Sequence, residues 1–95
     1  MGEFLVELYA ARDGAAAVEH GSELGRRASE ELTREGTPVR FLRSIFVPED
    51  ETCFHLYEAS SADAVREVAR RAGLPLERVT EAVATAGSEE GDPCP

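Results

Sequence analysis

The stretch that decides the fold is Val39-Arg-Phe-Leu-Arg-Ser-Ile-Phe-Val47, then Pro48-Glu-Asp-Glu51, then Thr52-Cys-Phe-His-Leu-Tyr-Glu58. The two outer runs are rich in β-branched and aromatic residues, and the segment between them is polar and contains proline. This pattern predicts two strands joined as a hairpin. The first strand is apolar on both sides, with Val39, Phe41 and Ile45 on one side and Leu42 and Phe46 on the other.

The segments on either side of the hairpin predict the remaining elements. Glu3–Tyr9 alternates as a strand, with Phe4, Val6 and Leu8 on one face and Glu3, Leu5, Glu7 and Tyr9 on the other. A helix is expected from Ala15 to about Glu35, stopped by Gly36. A second helix is expected over 61–73, opened by a capping box of Ser60 and Asp63, and Leu76–Ala84 is a short last strand.

The resulting order, β-α-β-β-α-β, is typical of a ferredoxin-like α+β sandwich. We predict a four-stranded antiparallel sheet in the order 4-1-3-2 with two helices on one face, and we expect strands one and three to be central and parallel neighbours. A chain of 95 residues is long enough for one domain, placed at residues 1–86. Residues 87–95, with three acids and no base, are expected to form a disordered tail.

Composition excludes several classes of partner. The chain has 19 acidic and 10 basic residues, for a net charge of -9, which disfavours binding to nucleic acid or to anionic membranes. No run approaches the roughly 20 apolar residues of a membrane span, and no secretory signal is evident, so a cytoplasmic location is expected. Cys53 and Cys94 match no zinc-site spacing.

The sheet face opposite the helices receives no cover from this chain in the predicted fold. We assign Leu5, Tyr9 and Tyr57 to that face, together with one side of the second strand. Apolar faces of this kind are usually buried against another subunit, so a homodimer is predicted.

The candidate site lies on the same face. Strand three is expected to match strand one, so that Phe54 and Leu56 join the apolar face while Cys53, His55 and Tyr57 join the mixed face beside Glu7. A carboxylate next to an imidazole is a half-site for a divalent metal such as Ni²⁺ or Zn²⁺, with Cys53 or Tyr57 as further ligands. The alternative is that Glu7 and His55 pair only with each other inside an interface.

A family resemblance is carried by five short segments in fixed order: Val39-Arg-Phe-Leu-Arg-Ser44, Phe54-His-Leu-Tyr-Glu-Ala59, Ala64-Val65, Arg70-Arg-Ala-Gly-Leu-Pro75 and Arg78-Val-Thr-Glu-Ala-Val83. Over residues 3–83 the chain resembles the DUF4242 family of small, mostly bacterial, ferredoxin-like proteins. The resemblance implies a dimer and nickel bound by histidine-rich sites. This chain departs from that pattern because it has only His20 and His55.

Three functions remain open from the sequence. The first is a small dimeric protein that binds a divalent metal such as nickel. The second is a cofactor-free enzyme of the monooxygenase or cyclase type, which holds a small molecule in a pocket between sheet and helices. The third is a structural or regulatory dimer without a small-molecule site.

Overall fold

The computed structural model describes residues 1–83 and 85. Its elements, in chain order, are β1 (Gly2–Tyr9), α1 (Ala15–Arg34), β2 (Val39–Val47), a 3₁₀ turn (Pro48–Asp50), β3 (Thr52–Ala59), α2 (Ala62–Ala72) and β4 (Leu76–Ala82). The predicted order of elements is confirmed, and so is the hairpin of β2 and β3. The chain therefore has the α+β, ferredoxin-like βαββαβ architecture.

The four strands form one sheet in the order β2-β3-β1-β4, which is the predicted order. Every neighbouring pair runs antiparallel, including β1 with β3. The expectation that strands one and three are parallel was wrong. The helical crossover returns β2 in the direction of β1, and the hairpin then reverses the chain, so β3 runs opposite to both of its neighbours.

The core lies between one face of the sheet and the two helices. Its buried members from the strands are Val6, Leu8, Val39, Cys53, Tyr57 and Ala59, and those from the helices are Ala28, Leu32, Ala64, Val65 and Val68. α1 packs against β2 and α2, whereas α2 packs against β3 and β4. The opposite face of the sheet carries no element of the described chain.

The face assignment of β3 was wrong. In the register of β1 and β3, Val6 lies opposite His55 and Glu7 lies opposite Phe54. Residues directly opposite each other in an antiparallel pair point to the same side of the sheet. Cys53, His55 and Tyr57 therefore face the helices, while Phe54 and Leu56 face away. Both sides of β3 are apolar enough to be buried, so hydrophobicity alone does not distinguish them.

The helix ends follow the expected signals with one shift. α1 ends before Gly36, whose φ of 107° is accessible to glycine at little cost. α2 is capped by Ser61, whose Oγ accepts a hydrogen bond from the Ala64 N–H at 3.2 Å. The predicted cap at Ser60 was therefore one residue early.

The predicted tail over 87–95 lies outside the described residues, and so does the proposed domain boundary at Ala86. No helix within residues 1–83 is long and apolar enough to cross a membrane.

Candidate functional site

A buried pair of polar aromatic side chains lies at the centre of β3. The Nδ1 atom of His55 is 3.3 Å from the hydroxyl oxygen of Tyr57, and each residue is 1% exposed. Two residues apart on a strand, they share one face of the sheet. Phe41 of β2 lies edge-on to both rings, with centroid distances of 5.2 Å to His55 and 5.4 Å to Tyr57. This packing fixes the orientation of the two polar rings.

Gly25 of α1 provides the space that this pair needs. A Cβ atom on Gly25 would lie 2.5 Å from the Tyr57 hydroxyl and 3.7 Å from Nδ1 of His55. The first distance is well below van der Waals contact, so only glycine fits without movement of the tyrosine ring. Because glycine inside a helix costs stability, Gly21 and Gly25 predict a close approach of this helix to the sheet, and the geometry at Gly25 confirms it.

The site is uncharged at neutral pH. Burial lowers the pKa of His55 to about 4. Burial also raises the pKa of the Cys53 thiol and that of Tyr57, and the Cys53 thiol adds a smaller electrostatic contribution to the shift of Tyr57. The imidazole, the thiol and the phenol are therefore all in their neutral forms.

The hydrogen-bond partners fix the tautomer of His55. Among the described residues, Nδ1 is the only partner of the Tyr57 hydroxyl, and no fully buried polar side-chain atom there lacks a partner. If Nδ1 carried the proton, the buried tyrosine O–H would have no acceptor, which costs about 1–3 kcal/mol. We therefore assign the tyrosine as donor to Nδ1, and the imidazole proton to Nε2.

A cavity of about 290 Å³ lies beside His55, between α1 and the sheet. We call it the His55 cavity. Its wall is mostly apolar and includes Leu8, Val18, Gly21, Cys53 and Leu74. His55 also lines the cavity. Its Nε2 has no hydrogen-bond partner in the described part of the chain, whereas every fully buried polar side-chain atom there has one, so we infer that Nε2 is the ring nitrogen exposed to the cavity. The cavity thus combines apolar walls with one N–H donor.

The predicted site residues do not all meet. Cys53, His55 and Tyr57 share the face toward the helices, whereas Glu7 points to the opposite face, where its Oε1 lies 3.6 Å from Nε of Arg78. The structure therefore does not bring Glu7 to His55. His20 is exposed on α1.

Sequence reasoning missed the cavity and the identity of the group that Gly25 contacts, the Tyr57 hydroxyl. The available signal was the pair of glycines at positions 21 and 25, because glycine costs about 1 kcal/mol relative to alanine inside a helix. Two glycines that each lower helix stability, four residues apart on one face of α1, indicate that the helix backbone lies close to other groups there.

The family described as "Nickel responsive protein SCO4226-like" matches residues 11–82 of the chain. The chain belongs to the SCO4226-like family. This confirms the resemblance to a family of small nickel-related proteins. The crystal structure of SCO4226 from Streptomyces coelicolor A3(2) superposes with a TM-score of 0.67 and 21% identity, covering 88% of this chain and 99% of that one. At that identity the likeness shows the fold alone. No curated protein matches the chain.

The described residues of one copy of this chain do not form a binding site for a nickel ion. Within residues 1–83 and 85, no three His, Cys, Asp or Glu side chains are close enough to hold one metal ion. A thiol or an imidazole must offer a free electron pair to a metal. Here the Cys53 thiol keeps its proton, Nδ1 of His55 accepts from Tyr57, and Nε2 is protonated.

The outer face of the SCO4226-like sheet carries the apolar surface that the sequence predicted, with different members. Leu5 lies opposite Leu56 there, and Phe54 lies opposite Ile45 on its other side. Ile45 is 47% exposed and Tyr9 is 60% exposed. Tyr57, which we had assigned to this face, is instead in the core.

Proposed function

We propose that this chain is a small binding protein whose ligand is uncharged, largely apolar and equipped with one hydrogen-bond acceptor. The observation that carries the proposal is the position of the neutral His55, with its proton assigned to Nε2, in the wall of a mostly apolar cavity. A cavity of about 290 Å³ is at the lower end of the size of small-molecule sites, about 300–1,000 Å³. An acceptor such as a carbonyl oxygen satisfies the donor, and the apolar wall covers the rest of the ligand.

The same geometry favours binding over proton-transfer catalysis. A general base works best when its pKa lies near the working pH, about 7. His55, with a pKa of about 4, is too weak a base for this task. The raised pKa of Cys53 likewise leaves too little thiolate for nucleophilic attack. These two observations favour the function of a binding protein over that of a cofactor-free enzyme.

A homodimer through the outer sheet face is part of the proposal. Leu5, Phe54 and Leu56 lie on adjacent central strands, and no described element covers them. On the same face, Arg40 pairs with Glu58 at 3.2 Å and Glu7 pairs with Arg78 at 3.6 Å. An apolar centre with internally paired charges at its border suits a self-complementary interface.

Binding of a divalent metal such as nickel is the second candidate function, favoured by the description of the family. In a sheet-to-sheet dimer, Glu7 of both copies enters the interface, which would allow two chains to share one ion.

The cytoplasmic location expected from the sequence stays a prediction.

The ligand proposal is tested with acetophenone and ethylbenzene, which differ chiefly by one carbonyl oxygen. Calorimetric titration should show acetophenone binding several-fold more tightly, because one neutral hydrogen bond contributes about 0.5–1.5 kcal/mol. His55→Phe should remove the preference. Gly21→Ala adds a methyl group at the cavity wall and should weaken the binding of both compounds. Equal affinities for wild type and for His55→Phe would overturn the proposal.

The metal candidate is tested by titrating Ni²⁺ into untagged wild type, Glu7→Gln and His55→Phe. Loss of binding in Glu7→Gln alone would support a metal at the dimer interface. Loss in His55→Phe with an intact fold would contradict the buried-pair description of His55.

A further inference from the structure

A second and larger cavity, of about 610 Å³, lies between the C-terminal half of α1 and the beginning of β2. We call it the arginine cleft. Its apolar part includes Pro38, Val39 and Phe41, of which Val39 is only 4% exposed. No part of the sequence analysis pointed to this place. Most of its lining residues lie within residues 26–41, but they enclose a cavity only when α1 packs on β2.

The charges along the arginine cleft do not cancel. Three guanidinium groups line it, from Arg26, Arg34 and Arg40, and two carboxylates, from Glu30 and Glu58. Arg26 donates a hydrogen bond to Glu23, which does not line the cleft, and lies 3.6 Å from Glu30, and Arg40 lies 3.2 Å from Glu58. Among the described residues, Arg34 has no carboxylate within 4.0 Å.

Among the lining side chains, guanidinium groups outnumber carboxylates by three to two in a protein whose net charge is -9, and Arg34 is the one without a carboxylate partner among the described residues. A guanidinium presents a planar fork of donors that matches a carboxylate. Beside it, Val39 and Phe41 offer an apolar surface with no polar side-chain atom.

We propose that the arginine cleft binds a small monocarboxylate with an apolar body, whose carboxylate pairs with Arg34. The charge of the ligand follows from the single unpaired guanidinium, and the apolar body follows from Pro38, Val39 and Phe41. A dianion would exceed the available positive charge and would meet Glu30 and Glu58.

This site is separate from the His55 cavity and does not depend on the function proposed for it. Phe41 stands between them, since it lines the arginine cleft and touches the ring of His55 on its inner side. Failure of either binding test leaves the other intact.

The test compares octanoate with octanamide, which has the same chain and no charge. Calorimetry should show octanoate binding about tenfold or more tightly, and Arg34→Gln should remove most of that difference while leaving octanamide unchanged. Arg27→Gln is the matched control, because Arg27 lies on the same helix, is 71% exposed and does not line the cleft.

The position of the ligand is checked by ¹H–¹⁵N spectra during the same titration. Octanoate should shift the amides of Val39, Arg40 and Phe41 in wild type. The proposal is overturned if octanoate and octanamide bind equally, if Arg34→Gln and Arg27→Gln lose the same affinity, or if the shifts cluster around Val18 and Leu74 instead.

Discussion

Gly25 of α1 faces the hydroxyl group of Tyr57 so closely that a Cβ atom would lie 2.5 Å from its oxygen. That hydroxyl donates to His55, and the pair is enclosed by Phe41. The absence of a side chain at Gly25 therefore leaves room for the hydrogen bond between Tyr57 and His55. Within the described residues, this is the only hydrogen bond of the His55 ring.

The two glycines of α1 should respond to alanine with opposite signs. A Cβ on Gly21 would meet only the flexible Leu74 side chain, at 3.5 Å, so Gly21→Ala should stabilise by about 1 kcal/mol through helix propensity. Gly25→Ala should instead destabilise by about 1–3 kcal/mol, because the Tyr57 ring must move within a packed core. Urea unfolding of the two variants measures both; stabilisation by both would disprove the close contact.

Removal of the Tyr57 hydroxyl should reduce the loss of stability that Gly25→Ala causes. Tyr57→Phe alone is expected to cost about 1–2 kcal/mol, since Nδ1 of His55 loses its partner. In the double variant the added methyl group no longer meets an oxygen, so the two costs should be strongly non-additive. A double-mutant cycle from unfolding free energies gives the coupling, and an additive result would contradict it.

The stability of the protein should depend on pH through His55. Its pKa is about 4 in the folded state and about 6.5 in the unfolded state, so the unfolded chain binds more protons between these values. The contribution of neutral His55 is therefore fully present above about pH 6.5 and is lost as pH falls toward 4, by about 3 kcal/mol in total. The His55→Gln variant should therefore show a weaker pH dependence of the unfolding free energy between pH 5 and 6.5 than wild type, whereas the His20→Gln variant should not.

A charge on the outer sheet face should separate the proposed dimer. Phe54→Glu places a carboxylate opposite Glu7, in the centre of the apolar surface, where burial of an unpaired charge is costly. Sedimentation velocity should show a monomer for this variant and a dimer for wild type. Ala16→Glu adds the same charge on an exposed position of α1 and should leave the dimer intact. A wild-type monomer at micromolar concentration would refute the dimer.

The sequence predicted the fold well because each element carried its own local signal. β2 was predicted with its observed bounds, and Gly36 marked the end of α1. The faces of β3 were not predictable in the same way. Phe54 and Leu56 are as apolar as Cys53 and Tyr57, so only the register with β1 decides which set meets the helices. That single choice separated Glu7 from His55 and changed the candidate site.

Side chains from distant segments formed the features that were missed. Arg71 of α2 contacts Glu31 of α1 at 3.2 Å and Glu35, the residue after α1, at 2.7 Å, besides Glu67 four residues earlier on its own helix. The sequence showed only the local pair. The arginine cleft and the His55 cavity likewise depend on how α1 is placed on the sheet, which no local pattern specifies.

His55 is a neutral imidazole in the core beside a cavity, and its own NMR signal reports both its protonation and its access to metal ions. The imidazole ¹H–¹³C resonances of His55 and His20 should be followed from pH 7.5 to 4 and then, at pH 7.5, during addition of Ni²⁺. Our account predicts that His55 titrates well below pH 5 and keeps its signal in the presence of Ni²⁺. A His55 pKa near 6.5, or selective paramagnetic broadening of His55 by stoichiometric Ni²⁺, would contradict it.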